Sequence, residues 1–341
     1  MKVLMLTSSF PAYPEDYYGN FIFELSKALH GNGVDLVVLC PHHPDSQFSE
    51  NWGGIKIYRF PYFFPFSAQK LRSRGGLLNT IKNSYLAKLQ VPFFVLFELV
   101  YAIIIAHKER VDVIHSHWII PQGLIGAICK KVTKAKHITS IHGSDINLCL
   151  NNRFLRMILN FVVDNTDQIC TNSSFTHHQL EKASRSSVRK ATIIPMGVDI
   201  NRFKVQDRAN VEINRPKKTI LSVGRLIDWK GTKYLLLAME KVLKQLPNTQ
   251  LIIGGTGPEG ENLIRLTAEL NIQDSVIFAG YIEDKYLLKF YSRADVFVLP
   301  SIEIDGQTEG LGVVLLEAMA CCVPVVGSNV GGIPDIIQDG Y

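Results

Sequence analysis

Two short stretches of this 341-residue chain carry side chains suited to anion and sugar chemistry. The first is Ser222-Val223-Gly224-Arg225-Leu226-Ile227-Asp228-Trp229-Lys230-Gly231. It reads as a strand ending at Val223 in a glycine turn, with Arg225 and Lys230 leaving the strand's carboxyl end. Arg offers phosphate oxygens a planar fork and Lys a mobile point charge, so together they suit a diphosphate. Two surface cations in a loop would show the same spacing. The second stretch runs from Pro300-Ser301 through Glu309-Gly310-Leu311-Gly312 to Glu317-Ala318-Met319-Ala320. Glu309 falls just before a predicted helix and Glu317 two turns into it. Glycines let backbone N–H groups come close to a ligand, and a helix N-terminus favours an anion or an electronegative oxygen. Carboxylates accept hydrogen bonds from sugar and ribose hydroxyls. The competing reading is a helix-capping Glu309 and a solvated Glu317. The apolar context Leu315-Leu316-Glu317-Ala318-Met319 weighs against it, because a buried carboxylate needs a partner.

Two motif look-alikes are set aside. Gly255-Thr256-Gly257-Pro258-Glu259-Gly260 matches G-x-G-x-x-G and follows a strand, but Phe278-Ala279-Gly280 ends the next strand without an acidic residue for a ribose. A tight strand-to-helix turn is the better reading. Lys230-Gly231-Thr232 has the wrong order for a Walker A loop.

These residues need a frame to hold them. Lys2 to Leu6 reads as a buried strand, Phe10 to Gly19 as an ordered loop, and Phe21, Leu25, Ala28 and Leu29 recur at helical spacing before Gly31 and Gly33. Strands follow at 34–40, 111–114, 135–141, 168–171 and 192–194. After a polar, poorly periodic segment at 200–218, they return at 219–223, 250–253, 276–278, 296–299 and 323–326. Helices are predicted at 232–246, 259–270, 285–292 and 312–320. Alternating strands and helices make two α/β units with parallel sheets, here placed at 1–199 and 200–341, with ligands at the carboxyl ends of strands.

Composition agrees. Apolar residues make up 47% and charged residues 20%, a globular balance that excludes a disordered chain, a collagen-like repeat and a disulfide mini-protein. The six cysteines (40, 129, 149, 170, 321, 322) show no metal-ligand spacing and read as reduced core thiols. Residues 1–199 hold 21 Lys/Arg and 14 Asp/Glu, net +7; residues 200–341 hold 15 and 17, net −2. No signal peptide is evident, and the apolar stretch Val91–Ala106, interrupted by Glu98, falls short of the ~20 residues a spanning helix needs. That stretch is expected to be a buried helix, and the chain to be cytoplasmic.

Glu309 and Glu317 with seven residues between them, preceded by Val223-Gly224-Arg225 and Lys230, resemble the retaining glycosyltransferases of family 4, which have the GT-B fold. Supporting pieces lie in order: Gly19, Ile114-His115-Ser116-His117-Trp118, Ile141-His142-Gly143-Ser144-Asp145, Ile194-Pro195-Met196-Gly197-Val198-Asp199 and Gly331-Gly332-Ile333-Pro334. The resemblance covers essentially the whole chain. It implies two Rossmann-like domains facing across a cleft, a nucleotide-diphosphate sugar as donor, and a glycan or lipid-linked acceptor. In this resemblance Arg225 and Lys230 hold and neutralise the departing diphosphate. Glu317 takes the ribose hydroxyls, and Glu309 contacts the donor sugar with the backbone of Gly310, Leu311 and Gly312. Gly19 lets the first loop pass close to the diphosphate. His117 reaches the donor sugar, and His142 with Asp145 lines the acceptor side, while His115 is expected to point away from His117 in a structural role. Same-face attack with retention follows, the leaving phosphate taking the acceptor's proton. No Asp-x-Asp motif appears, so the cations stand where a metal would, and no cofactor is expected. Two other readings stay open: a nucleotide-sugar hydrolase or epimerase on the same fold, and a catalytically impaired binding protein.

Four features depart from the family pattern or add to it. The first loop has one glycine, in Tyr18-Gly19-Asn20, where two are common, and Cys322 stands where family members usually carry Gly, which is strained if the position needs positive φ. Residues 58–88 mix Phe60, Tyr62, Phe63, Phe64 and Phe66 with Lys70, Arg72, Arg74, Lys82 and Lys88; this suits an anionic membrane surface, or equally a packed loop with a solvated basic helix, and no motif points to nucleic acid. The chain ends at Asp339-Gly340-Tyr341, where the family continues into closing helices, so a shortened second domain is expected.

Overall fold

A computed structural model describes all residues except 15, 17–18, 73–76, 185, 187–188, 205–216 and 341, and the side chains of 78, 79 and 82. Tyr18, Arg74, the Lys82 side chain, most of the expected 200–218 linker and Tyr341 therefore lie outside the described residues. The chain forms two compact units: Met1–Asn172 with Thr176–Ile194, and Pro195–Tyr341 with Ser173–Phe175.

The first unit begins β1 (Lys2–Leu6), α1 (Asn20–Gly31), β2 (Asp35–Pro41), β3 (Ser49–Trp52), β4 (Ile55–Phe60), α2 (Leu77–Asn83) and α3 (Tyr85–Glu109). It continues β5 (Val113–His117), α4 (Leu124–Thr133), β6 (Lys136–Ile141), α5 (Ser144–Asn151), α6 (Arg153–Asn165), β7 (Gln168–Thr171), α7 (Ser174–Ala183) and β8 (Ala191–Ile193). Its eight strands run in the order β3-β4-β2-β1-β5-β6-β7-β8, parallel throughout except for the β3–β4 pair. Leu36 to Cys40 on β2 are fully buried, as expected for a parallel strand covered on both faces. The hairpin β3–β4 has no counterpart in the sequence reading. Its signal was Gly53-Gly54, both at positive φ (60° and 97°), the two-residue turn that matches strand twist, ahead of Ile55 and Ile57, which alternate into the core.

The second unit holds β9 (Lys218–Val223), α8 (Thr232–Gln245), β10 (Thr249–Gly254), α9 (Gly260–Glu269), β11 (Val276–Gly280), α10 (Asp284–Arg293), β12 (Val296–Leu299), α11 (Val313–Ala320) and β13 (Val325–Gly327). Its all-parallel sheet has the order β11-β10-β9-β12-β13. The chain moves outward on one side of β9 and then returns to the other. That makes the carboxyl ends of β9 and β12 a topological switch point, where open α/β sheets leave a crevice.

Two expectations need correction. The apolar stretch 91–106 belongs to the 25-residue α3, which by length and composition could cross a membrane and has only a third of its most apolar window buried. One side packs on the sheet through Ala87, Phe94, Ala102, Ile105 and Ala106, while Leu89, Phe93, Leu96, Phe97, Val100 and Ile104 are exposed. Nor are all the thiols in the core: none is in a disulfide, but Cys322 is exposed and Cys170 half-buried. In the basic aromatic stretch, Phe60 and Tyr62 are core residues, whereas Phe64 and Phe66 are exposed.

Candidate active site

In the second unit the two cation and carboxylate stretches meet at the switch point. The loop after β9 carries Arg225 and leads into a short turn at Asp228–Lys230. Its path is set by the glycines discounted as a dinucleotide motif. A Cβ on Gly255 would lie 1.8 Å from the Gly224 carbonyl oxygen, and one on Gly257 would lie 2.2 Å from that of Leu226. The Leu226 N–H donates to the Thr256 carbonyl at 3.0 Å, and the Glu259 N–H to the Leu226 carbonyl at 3.1 Å. The motif is a tight turn that buttresses the Arg225 loop. Gly231, at φ 68°, packs its Cα against the Pro300 carbonyl, where a Cβ would sit 1.9 Å away. This ties the β9 loop to the one after β12.

Between these loops lies an open cleft lined by Ser222, Val223, Gly224, Arg225, Leu226, Lys230, Thr232, Ile253, Gly254 and Leu299. The Lys230 ammonium donates to Glu309 Oε2, with both side chains under 15% exposed. The buried Ser301 hydroxyl donates to the same oxygen at 3.3 Å. Arg225 is exposed at the cleft and makes no ion pair among the described residues. Lys230 is thus no solvated surface cation. Glu309 does not cap α11 either: Gly312, at φ 95°, holds that position and no side chain caps it. Gly310 and the buried Leu311 lead into α11, whose first N–H groups have no intrahelical acceptor. Gly331 and Gly332 brace this segment, since Cβ atoms there would lie 2.1 and 2.2 Å from the Glu309 and Gly310 carbonyls.

Glu317 sits in a different neighbourhood. Its Oε2 accepts a 2.6 Å hydrogen bond from the hydroxyl of fully buried Tyr291, on α10. Burial pushes the Glu317 carboxyl up, and the Tyr291 hydrogen bond opposes that shift. Sequence reasoning missed Tyr291 because it contacts α11 through tertiary packing, with no local motif. The two carboxylates therefore have separate partners, Lys230 and Tyr291.

In the first unit a histidine layer closes the carboxyl ends of β5 and β6. His117 Nδ1 and His142 Nε2 are 3.1 Å apart and their rings stack, with centroids 5.4 Å apart. His115 does not turn away from His117: residues two apart on a strand share a face, and the two rings lie 4.4 Å apart, with His115 Nε2 2.8 Å from Ser140 Oγ. Burial lowers the basicity of all three, to about 4 for His115, to about 3 for His142 and well below the usual range for His117. Asp145, buried and with its carboxyl pushed up mainly by burial, accepts from the Ile119 N–H at 2.8 Å. His117 Nε2, His142 Nδ1, Asp145 Oδ1 and Asn172 Oδ1 are buried without a hydrogen-bond partner, so this face holds unspent polar valence. Trp118, at φ 75°, carries the backbone strain that often marks a site. Its ring, like that of Phe21 at the start of α1, packs on His142. Gly19, at φ 73°, caps α1; a Cβ there would lie 2.4 Å from the Ser9 carbonyl carbon, so the loop folds onto its own backbone at this glycine. Among the described residues no group of three or more His, Cys, Asp or Glu could hold a metal.

A sequence profile described as Glycosyltransferase Family 4 matches residues 19–202, over half of the chain, and one described as Glycosyl transferases group 1 matches 203–341. The chain belongs to glycosyltransferase family 4. Among family relatives, an uncharacterized glycosyltransferase of Methanocaldococcus jannaschii is 28% identical over 99% of this chain and 83% of its own length. The N-acetyl-alpha-D-glucosaminyl L-malate synthase of Bacillus anthracis is 27% identical over 69% of this chain and 61% of its own. A GDP-mannose-dependent alpha-(1-6)-phosphatidylinositol monomannoside mannosyltransferase of Mycolicibacterium smegmatis is 29% identical over 64% of this chain and 59% of its own. The chain thus spans about three fifths of the length of these last two. In fold, it superposes on Anabaena HepE solved with UDP and glucose at TM-score 0.70 and 19% identity, covering 100% of this chain and 84% of that one. The expected GT-B fold agrees with this likeness and with the two parallel sheets.

Proposed function

We propose that this family 4 protein moves a sugar from a nucleotide-diphosphate donor to a glycan or lipid-linked acceptor at the cytoplasmic face of a membrane, with retention of anomeric configuration. The observation that carries the reading is the part-buried Lys230–Glu309 pair beside exposed Arg225 at the switch point. In this reading Arg225 and Lys230 take the diphosphate, and Lys230 shares its charge between the phosphate and Glu309. The bond from the anomeric carbon to the phosphate oxygen breaks with its electron pair on the diphosphate, where preorganised cations stabilise it. The acceptor oxygen bonds the anomeric carbon from the same face and passes its proton to the leaving phosphate. Glu309 and the N–H groups of Gly310, Leu311 and Gly312 orient the sugar, and Glu317 holds the ribose. Gly19 shapes the loop nearest the diphosphate. His117 serves the donor sugar, and His142 with Asp145 the acceptor.

Retaining glycoside hydrolysis pairs two carboxyl groups about 5–5.5 Å apart across the scissile bond, whereas here Lys230 engages Glu309 and Tyr291 engages Glu317. The relatives' printed names, which include a GDP-mannose-dependent mannosyltransferase acting on a phosphatidylinositol mannoside, support a nucleotide-sugar donor and a lipid-linked acceptor. The test is a panel of nucleotide sugars with purified protein, reading released nucleoside diphosphate, followed by NMR of the product's anomeric proton. Turnover unaffected by a chelator is expected. Nucleotide binding without release on any donor would favour the binding-protein alternative.

A further inference from the structure

The side of α3 turned away from the sheet is an apolar stripe. Leu89, Phe93, Leu96, Phe97, Val100 and Ile104 are exposed at helical spacing, and every exposed residue from 89 to 104 is apolar. At 1.5 Å per residue, those sixteen positions run about 24 Å. Single exposed apolar residues need no explanation, but a continuous patch of this extent does. Cations bracket it. Exposed Lys88, with its Nζ 4.9 Å from the Tyr85 ring, stands at one end, with Lys70 also exposed in the preceding segment; exposed Lys108 and Arg110 stand at the other. Between Lys88 and Lys108 the only charged residue is Glu98, which is fully buried.

We propose that α3 lies in the plane of an anionic bilayer, its stripe sunk among the acyl chains and its terminal cations at the phosphates. This rests on the membrane part of the function proposed above and gives it a surface. Spanning is excluded by packing, because Ala87, Phe94, Ala102, Ile105 and Ala106 bind the other side of the helix to the sheet. Charge decides between a bilayer and a second copy of this chain. Two copies pairing along α3 would set cations against cations at both ends, whether parallel or antiparallel, whereas anionic headgroups complement both ends at once. An apolar face with basic flanks is the pattern of helices that lie in the interface, and the long Lys and Arg stems reach headgroups while their carbons stay in contact with lipid.

The experiment is co-sedimentation of the full chain with phosphatidylcholine vesicles, with and without phosphatidylglycerol. It reads partition and needs no sugar transfer, so an inactive protein that binds vesicles fails only the catalytic reading. Partition into phosphatidylglycerol vesicles should exceed that into phosphatidylcholine alone and fall as salt is raised. Combining Leu89→Ser, Phe93→Ser, Leu96→Ser and Val100→Ser should lower it at least ~tenfold. As a second readout, Leu96→Trp in the otherwise native chain should gain fluorescence quenched by brominated lipid. Unchanged partition of the serine variant, absent quenching, or equal binding to both vesicle types overturns the proposal. So does a vesicle-free dimer that the serine variant converts to monomer, since the face would then pair with a second copy.

Discussion

Arg225 and Lys230 differ in what surrounds them, so their removal should differ in kind. Arg225 is exposed, and Arg225→Ala should leave folding intact while cutting turnover at least tenfold, the scale of a charge-assisted contact of ~1.5–3 kcal/mol. Lys230→Ala should cut turnover as much and also lower the melting temperature, because it strands the part-buried Glu309 carboxylate. Normal rates in both variants would remove the diphosphate assignment. Tyr291 acts through another residue: it holds Glu317 Oε2. Tyr291→Phe deletes one hydrogen bond of ~1 kcal/mol, so donor KM should rise about fivefold with kcat little changed. The carboxyl of Glu317, freed from its donor, should titrate higher and shift the pH dependence of nucleotide binding upward. An equal loss in kcat would place Glu317 at the reacting sugar and not at the ribose. Arg225, Lys230 and Glu309 were legible in the sequence because each stands near a strand or helix end with a glycine beside it, and Glu317 because it is a lone carboxylate in an apolar helix. Tyr291 and Ser301 were not, since what they touch is fixed only by how α10, α11 and the β12 loop pack.

At the scale of elements, helix ends and one helix interior carry tests. α11 closes in a Schellman motif: the Val323 N–H donates to the Ala318 carbonyl at 3.0 Å and the Cys322 N–H to that of Met319 at 2.8 Å, with Cys322 at φ 54°. An L-residue pays ~1–2 kcal/mol for that conformation. Cys322→Gly should therefore stabilise the chain by a net ~0.5–1 kcal/mol, since glycine gives back part of the gain through a freer unfolded state. Thermal unfolding reads it, and a lower melting temperature would mean that the thiol packs usefully. Within α3, Glu98 is fully buried, and both of its oxygens lie 3.2 Å from the Gln122 amide nitrogen. Burial pushes its carboxyl up to about 8, with Gln122 opposing the shift. Unfolded, the group ionises near 4.3, so between these values the unfolded chain holds fewer protons and stability falls as pH rises. Glu98→Gln should abolish that slope, and its melting-temperature advantage should grow from pH 5 to 8. A constant difference would mean that Glu98 is already ionised in the fold. The strands other than β3 and β4, together with α1 and α8 to α11, were legible from apolar runs and periodicity. The exposed side of α3 was not, because a helix apolar on every side gives no period to say which side the protein covers.

Over the whole molecule the charge is uneven, with net +7 on residues 1–199 and −2 on residues 200–341. Acid should act first on residues 1–199. His117 and His137 are buried, His115 and His142 half-buried, and all four are neutral, with desolvation holding each well below the ordinary imidazole value near 6.5. As pH falls below that value the unfolded chain takes up protons that the fold refuses, so stability is lost progressively from about pH 6.5 downward. From pH 7 to 5 these four imidazoles should contribute up to about four protons to the uptake on unfolding, against about one that Glu98 releases, and denaturant titrations read the sum. His117→Asn should lower that uptake by about one; an unchanged uptake would mean that His117 is already protonated in the fold.

The contact between His117 Nδ1 and His142 Nε2 also has a logical property. Each neutral ring carries one N–H, and the shared hydrogen bond uses one donor and one acceptor. Whichever ring donates, the two outer nitrogens, His117 Nε2 and His142 Nδ1, must then be one acceptor and one donor. The pair behaves as a one-bit register: a hydroxyl that settles on one outer nitrogen fixes what the other can offer, 25 residues away in the chain.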